Sequence, residues 1–386
     1  MRIVHIADLH LGKVLFDFSL LTDQSAWLEE LTRFIKEQRA DALVIAGDVY
    51  HRSVPPTEAV ALLDDFLSEV IQGAGVPVLM IAGNHDSGQR LGFASKLFEG
   101  GGLYVSGAVG ERLKTVTLPD AFGEVRFVLL PYFEPYPIRR LYADESIKTS
   151  NDAFARIARE NLAEIDFSRR NVLVSHGFFG KDSALARFSD SERSVGGTDL
   201  VDSGLIEAFD YVALGHLHAP QTAGAPHIRY AGSPLKYSLS EVAQKKSVTV
   251  VDLRGKGDMT ITAEYIPAPR DLRIVTGTMA ELTDKALQSS YSLHDYIYAV
   301  ITDKNEVYSA AEKLRALFPN LIGLRRESDG TATSDPLVFG TAVGKRDIDD
   351  LFRSFYLDMR GEVLPPRLAK AMHEVFAEAQ REEREP

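Results

Sequence analysis

Two patterns alternate along the first half of the chain. Short apolar runs rich in β-branched residues, at 3–7, 42–46 and 76–82, are each followed by Gly, Asp, Asn or His. Continuous apolar runs of that length predict strands buried on both faces. Between them apolar residues recur at helical spacing. Leu28, Leu31, Phe34 and Ile35 share a face within 23–39, and Val60, Leu63, Phe66, Leu67, Val70 and Ile71 do so within 56–72, where Pro56 suits a first helical turn. Strand, helix, strand, helix, strand predicts an α/β fold with a parallel sheet and crossover helices. Further strands are predicted at 125–130, 172–174 and 211–214, and 247–253 with 259–266 reads as a hairpin around Gly255-Lys256-Gly257.

The pattern changes at Pro267, Pro269 and the charged stretch 270–273. It divides the chain into a domain at 1–270, a small α/β module at 271–335 and a tail at 336–386. The module has predicted strands at 274–276, 296–301 and 321–325 and a helix over 305–317. The tail carries one helical stripe of Ile348, Leu351, Phe352, Phe355, Tyr356 and Met359. After Gly361 and Pro365-Pro366 comes a second, of Leu368, Met372 and Phe376. Two such helices cannot bury their apolar faces on each other alone, so the tail needs a surface of its own domain or of a partner.

Composition narrows the chemistry. Of 386 residues, 45% are hydrophobic and 25% charged, which is ordinary for a globular chain. Cysteine is absent, so disulfides, thiolate nucleophiles and thiolate metal sites are excluded, and any metal must take nitrogen and oxygen ligands. No apolar run approaches the roughly 18 residues of a membrane span. The first residues are unlike a signal peptide, and a cytoplasmic location without membrane contact is expected. Forty-three basic against 55 acidic residues give a net charge of −12. That total argues against a strongly basic stand-alone nucleic-acid binder, though not against a local basic groove, a bound metal or a basic partner.

Chemistry-bearing residues cluster where the predicted strands end. Asp8 and His10 follow the first, Asp48 the second, and Asn84, His85 and Asp86 the third. His176 closes a later one, and His216 and His218 follow 211–214. Six of the ten histidines (10, 51, 85, 176, 216 and 218) lie in these segments. Ligands gather at the carboxyl ends of strands in open α/β sheets, so these side chains can converge. Imidazole, carboxylate and amide ligands together suit manganese, iron or zinc rather than calcium. Singly, Asp-x-His or Gly-Asp reads as a turn or a cap; the ordered set carries the signal.

At these residues the chain resembles the calcineurin-like metallophosphoesterases, whose pattern is D-x-H, G-D, G-N-H-[DE], H and G-H-x-H. Within them the resemblance narrows to the SbcD-type nuclease subunits. It is carried by Asp8-Leu9-His10-Leu11-Gly12, Gly47-Asp48-Val49-Tyr50-His51, Gly83-Asn84-His85-Asp86-Ser87, Val195-Gly196-Gly197-Thr198-Asp199, 209–218 and 230–238. The resemblance implies a four-layer fold, a β-sandwich flanked by helices, with a small α/β capping domain and C-terminal helices. It implies two Mn2+ ions, with Mg2+, Fe2+ or Zn2+ as substitutes. Asp48 would bridge them; Asp8, His10 and His218 would complete one ligand set, and Asn84, His176 and His216 the other. His85 would face the scissile phosphate, Asp86 would orient it, and His51 would contact the nucleotide.

The resemblance also implies an activity and its partners. These are 3′-to-5′ exonuclease action on duplex DNA ends and endonuclease action on single strands and hairpins, in DNA repair, recombination and replication. The chain would work as a homodimer, to which helices at 56–72 and 93–98 contribute. Its tail would dock on an SbcC-type ABC/SMC ATPase that gates duplex processing, since this chain has no P-loop of its own. Lys236, Lys13, Arg52, Arg90, Lys181 and Arg187 are candidate phosphate contacts. Two competing readings are a general phosphoesterase acting on small phosphodiesters or phosphoproteins, which would not need the tail, and a non-catalytic scaffold, which would not need the full ligand set.

Overall fold

Each apolar run of the first half forms a strand. In the computed structural model, which describes residues 1–181, 199–288, 292–305, 307–327, 364, 365, 367–370, 372 and 373, Arg2–Ile6 (β1), Ala42–Ala46 (β2) and Val78–Ile81 (β3) are parallel neighbours. The chain crosses between them through Leu21–Gln38 (α1) and Thr57–Ser68 (α2). Leu103–Ser106 (β4) adds a further parallel strand. A second sheet follows from Lys114–Asp120 (β5), Gly123–Leu130 (β6), Arg170–His176 (β7), Tyr211–Gly215 (β8), Gln221–Ala223 (β9) and Ala225–Tyr230 (β10), with Pro135–Tyr142 (α3) and Ser150–Asn161 (α4) between β6 and β7. Its order is β9-β10-β8-β7-β6-β5. The hairpin expected near 247–266 forms as Val248–Gly255 (β11) and Asp258–Glu264 (β12). It returns to the first sheet, giving β12-β11-β1-β2-β3-β4.

Alternation along the strands explains why the sheets stack. Ala42, Val44 and Ala46 of β2 and Leu79 and Ile81 of β3 share one core with Val125, Phe127 and Leu129 of β6 and Val172 and Val174 of β7. The intervening residues of the second sheet, Val128, Leu130, Leu173, Val212 and Leu214, pack instead with Phe154 and Ile157 of α4. In the first sheet Val4, Leu43 and Ile45 are equally dry, on the face that the crossover helices take. Each such side chain removed from water contributes roughly 1.5–3 kcal/mol. The result is helix, sheet, sheet, helix.

Val60 of the apolar face of α2 is 43% exposed and lines an apolar groove of about 620 Å³ with Phe93, Leu97 and Phe98. The helix beyond Ser68 passes into a π turn over Glu69–Gly73. Leu272–Gly277 (β13), Tyr296–Ile301 (β14) and Leu321–Arg326 (β15) form an all-parallel sheet. With Met279–Gln288 (α5) and Ala310–Leu317 (α6) it has its own small core around Leu282, Ile297, Leu314 and Phe318. Residues 1–330 form one compact unit and 331–386 a second. Arg270 forks onto Asp23 of α1 at 2.8 Å through both nitrogens, and the Tyr296 hydroxyl donates to the same carboxylate at 2.6 Å.

Of the second unit, residues 367–370 are helical, with Ala369 N–H donating to the Pro365 carbonyl at 3.0 Å. The stripe from Ile348 to Met359, Phe376, Arg187 and the loop at 189–198 lie outside the described residues. No helix among the described residues is long and apolar enough to cross a membrane.

Candidate metal centre

Five strand ends meet at one place, three from the first sheet (β1, β2, β3) and two from the second (β7, β8). Asp8 N–H donates to the Gly47 carbonyl at 3.0 Å and His10 N–H to the Asp48 carbonyl at 2.9 Å, lacing the first two loops together. Asp8 (φ 55°), His10 (φ 44°), Asp48 (φ 49°) and His216 (φ 112°) all have positive φ. Such backbone is uncommon outside glycine and concentrates at functional sites. At Gly83 a Cβ would collide with the Asp48 carboxylate and backbone, which explains glycine there.

The seven expected ligands fall into two groups around Asp48. His10 Nε2 and His218 Nε2 are 3.1 Å apart, with a carboxylate oxygen of Asp8 within 4.8 Å of both imidazoles. His176 Nε2 and His216 Nδ1 lie 3.0 and 3.1 Å from Asn84 Oδ1. Between the groups, Asp48 turns Oδ2 toward His10 Nε2 and Oδ1 toward His176 Nε2, each at 3.6 Å. Asp8 also accepts the His216 backbone N–H at 2.9 Å.

Hydrogen bonding at the back of the rings decides which nitrogens face inward. His176 Nδ1 donates to the Ala46 carbonyl at 2.8 Å, so its Nε2 lone pair meets the Asn84 amide oxygen. His218 Nδ1 donates to Glu241 Oε1 at 2.9 Å, so its Nε2 lone pair meets His10. A lone pair facing a lone pair, as between His176 and Asn84, is what a shared cation satisfies, and the donor set fits divalent transition ions. Burial, followed by neighbouring imidazoles, pushes His10 well below the ordinary histidine range and His216 to about 3; burial also lowers His176. All three are therefore neutral at pH 7, the form that binds metal.

His85 stands apart from this set. Its side chain is 32% exposed, whereas those of His10, His176 and His218 are at most 3% exposed. Its Nδ1 lies 3.1 Å from the His51 carbonyl and its Nε2 4.0 Å from Asp48 Oδ2. Here the expectation for Asp86 is corrected. Its carboxylate does not orient His85; it accepts the backbone N–H groups of Val49 (3.0 Å), Tyr50 (2.8 Å) and Gly83 (2.9 Å), fastening the β2 loop to the β3 loop. Orientation of His85 falls to the main chain of His51. The His51 ring stacks on His85, centroids 5.6 Å apart and planes 20° apart, and burial with Lys13 nearby lowers it to about 4. Burial and the adjacent Asp48 push Asp86 up to about 7 despite its three backbone donors.

Two of the basic candidates are engaged in ion pairs. Lys236 pairs with Asp271 at 2.8 Å and Lys181 with Glu207 at 2.6 Å. Sequence reasoning missed the groups behind the ligands. Gln24 Nε2 donates to the carbonyls of Leu9 and His10 at 3.1 and 2.9 Å, and the Tyr237 hydroxyl also donates to Leu9. Burial alone would raise Glu241, but Lys246 and then His218 outweigh it and hold it below the usual carboxylate range.

Fold and site together define a metal-dependent phosphoesterase. The calcineurin-like phosphoesterase family model matches residues 1–220, and the model described as type 5 capsule protein repressor C-terminal domain matches 268–360, running across the expected boundary at 336. A Staphylococcus epidermidis protein, named as the SbcD component of the nuclease SbcCD, is 30% identical over 366 residues, covering 94% of this chain and 95% of that one. One of the same name from Staphylococcus saprophyticus subsp. saprophyticus is 29% identical over 97% of this chain and 98% of its own. The chain belongs to the SbcD nuclease-subunit branch of the calcineurin-like phosphoesterases. Among solved structures, TT1561 of Thermus thermophilus matches at 13% identity over 68% of this chain and 98% of its own, with a TM-score of 0.40.

Proposed function

We propose that this chain is the nuclease subunit of an SbcCD-type complex, cleaving DNA phosphodiesters at a centre that takes two Mn2+ ions. The observation that carries the reading is Asp48, with one carboxylate oxygen turned to each of two ligand groups at equal 3.6 Å distances. Asp8, His10 and His218 would hold one ion and Asn84, His176 and His216 the other. When bound, such a pair supplies charge for phosphate oxygens and makes a water acidic near neutral pH.

The chain's own residues do the rest. With Nδ1 on the His51 carbonyl, Nε2 is the ring atom of His85 left to exchange a proton on the open side of the site. That places it to stabilise the scissile phosphate and protonate the leaving oxygen. Asp86 fixes the loop spacing that sets His85 against Asp48, and His51, stacked on His85, offers a ring edge to the nucleotide.

The division into 1–270, 271–335 and 336–386 assigns catalysis, DNA capping and partner docking in turn. The last is the seat for an SbcC-type ATPase whose ATP hydrolysis gates duplex ends, while single strands and hairpins are cut endonucleolytically and duplexes 3′-to-5′. Homodimerisation is supported by the apolar groove of α2, where Phe93 and Leu97 are 78% and 81% exposed. A cytoplasmic setting follows from that role. The test is incubation with hairpin and duplex DNA in Mn2+, with and without the ATPase partner and ATP. Hairpins opened by the chain and duplex ends degraded only with partner and ATP support the proposal. Cleavage of a chromogenic phosphodiester with DNA untouched in every arm contradicts it.

A further inference from the structure

We infer that Glu241, backed by Lys246, is a positioning residue that sets which nitrogen of His218 faces the metal centre. This rests on the two-metal reading above and names a residue outside its ligand set. Glu241 follows the last strand of the second sheet in a short 3-10 turn, Leu239–Glu241, and is wholly buried. Its Oε1 lies 2.9 Å from His218 Nδ1 and its Oε2 2.6 Å from Lys246 Nζ. The Tyr237 N–H donates to Oε2 at 3.2 Å and the Ser238 hydroxyl to Oε1 at 3.2 Å.

A carboxylate only accepts, so the proton of His218 is confined to Nδ1 and its Nε2 lone pair turns toward Asp8 and His10. Lys246 binds both halves of this unit. It neutralises Glu241, and it donates to the His218 carbonyl at 3.0 Å, the Ser233 hydroxyl at 2.7 Å and Gln244 Oε1 at 2.7 Å. Ring and backbone of one ligand are thus held by one ion pair. A buried ion pair is weak evidence of a stability role, because desolvation offsets its attraction. What this pair fixes is a tautomer and a direction.

The test uses the full chain. Long-range 1H–15N correlation on metal-free protein reads the His218 tautomer, and calorimetric Mn2+ titration reads each site. Wild type is expected to show His218 with its proton on Nδ1 and two Mn2+ sites. Glu241→Gln is expected to shift His218 toward a mixture of tautomers and to weaken one Mn2+ site by about 10–100-fold, sparing the other. Should the lone Lys246 charge unfold that variant, Glu241→Gln with Lys246→Met removes the buried charge and is expected to show the same loss. A folded variant with His218 still protonated on Nδ1 and both Mn2+ affinities within about twofold of wild type overturns the inference. Wild type that binds fewer than two Mn2+ ions would overturn the two-metal reading instead, and the tautomer experiment would still decide the role of Glu241.

Discussion

In the proposed function His85 and Asp48 separate catalysis from metal binding. His85 is a half-buried imidazole whose Nδ1 meets a carbonyl outside the expected ligand set, so His85→Ala is expected to abolish turnover with both metals retained. Metal analysis of the purified variant checks this; loss of metal in a folded protein would make His85 a ligand. Asp48→Ala is expected to lose both ions, and full activity in that variant would end the two-metal account. The convergence of Asp8, His10, Asp48, Asn84, His176, His216 and His218 was legible because each follows a recognisable apolar run. Glu241 was not, because a lone acidic residue in a turn looks like solvated surface until the fold buries it. The role of Asp86 was misread because adjacency in sequence to His85 says nothing of three backbone donors arriving from two loops.

Among elements, the buried parallel strands and the hairpin at 247–266 were legible, and the edge strand Lys114–Asp120 was not. Lys114–Asp120 alternates buried and exposed positions and carries Pro119, which is tolerated at the edge of a sheet but weakens a strand signal. Helix α4 has few large apolar residues, and its clearest mark is the capping box of Thr149 with Asp152. The same edge strand carries a testable tie. Asp120 forks onto Arg170 at 2.6 and 2.8 Å, both side chains almost wholly buried, and Arg170 also donates to the Leu253 carbonyl of the first sheet at 3.0 Å. Arg170 holds Asp120 far below the usual carboxylate range. Asp120→Asn is expected to cost roughly 3–5 kcal/mol at pH 7, because it leaves a buried guanidinium uncompensated. A folded-state pKa below the unfolded one means this contribution is complete above about pH 4 and declines as pH falls below it. The gap in urea midpoint between wild type and variant should therefore narrow in acid; a constant gap would contradict the ion-pair explanation.

For the whole molecule, the Pro-rich break at 267–269 was legible, but the attachment across it was not, since Asp23 and Arg270 lie 247 residues apart. Asp23 is followed by Gln24, which holds the Leu9 and His10 carbonyls, so the small module is fastened one residue from the side chain that braces the loop after β1. Deleting residues 341–386 is expected to abolish capture of the partner ATPase while sparing metal-dependent cleavage of small phosphodiesters; unchanged capture in a pull-down would refute the docking role. The net charge of −12 sharpens the DNA proposal rather than opposing it. Alone, the chain should bind duplex weakly and lose it steeply with salt, with metals, a second copy and the partner supplying the grip. The most direct test of the account is hairpin-DNA cleavage by metal-stripped chain titrated with Mn2+, with His85→Ala alongside. The account predicts no cleavage in chelator, activity that rises until two equivalents are bound, and none from His85→Ala at full occupancy. Cleavage in chelator, or by His85→Ala at the wild-type rate, would contradict it.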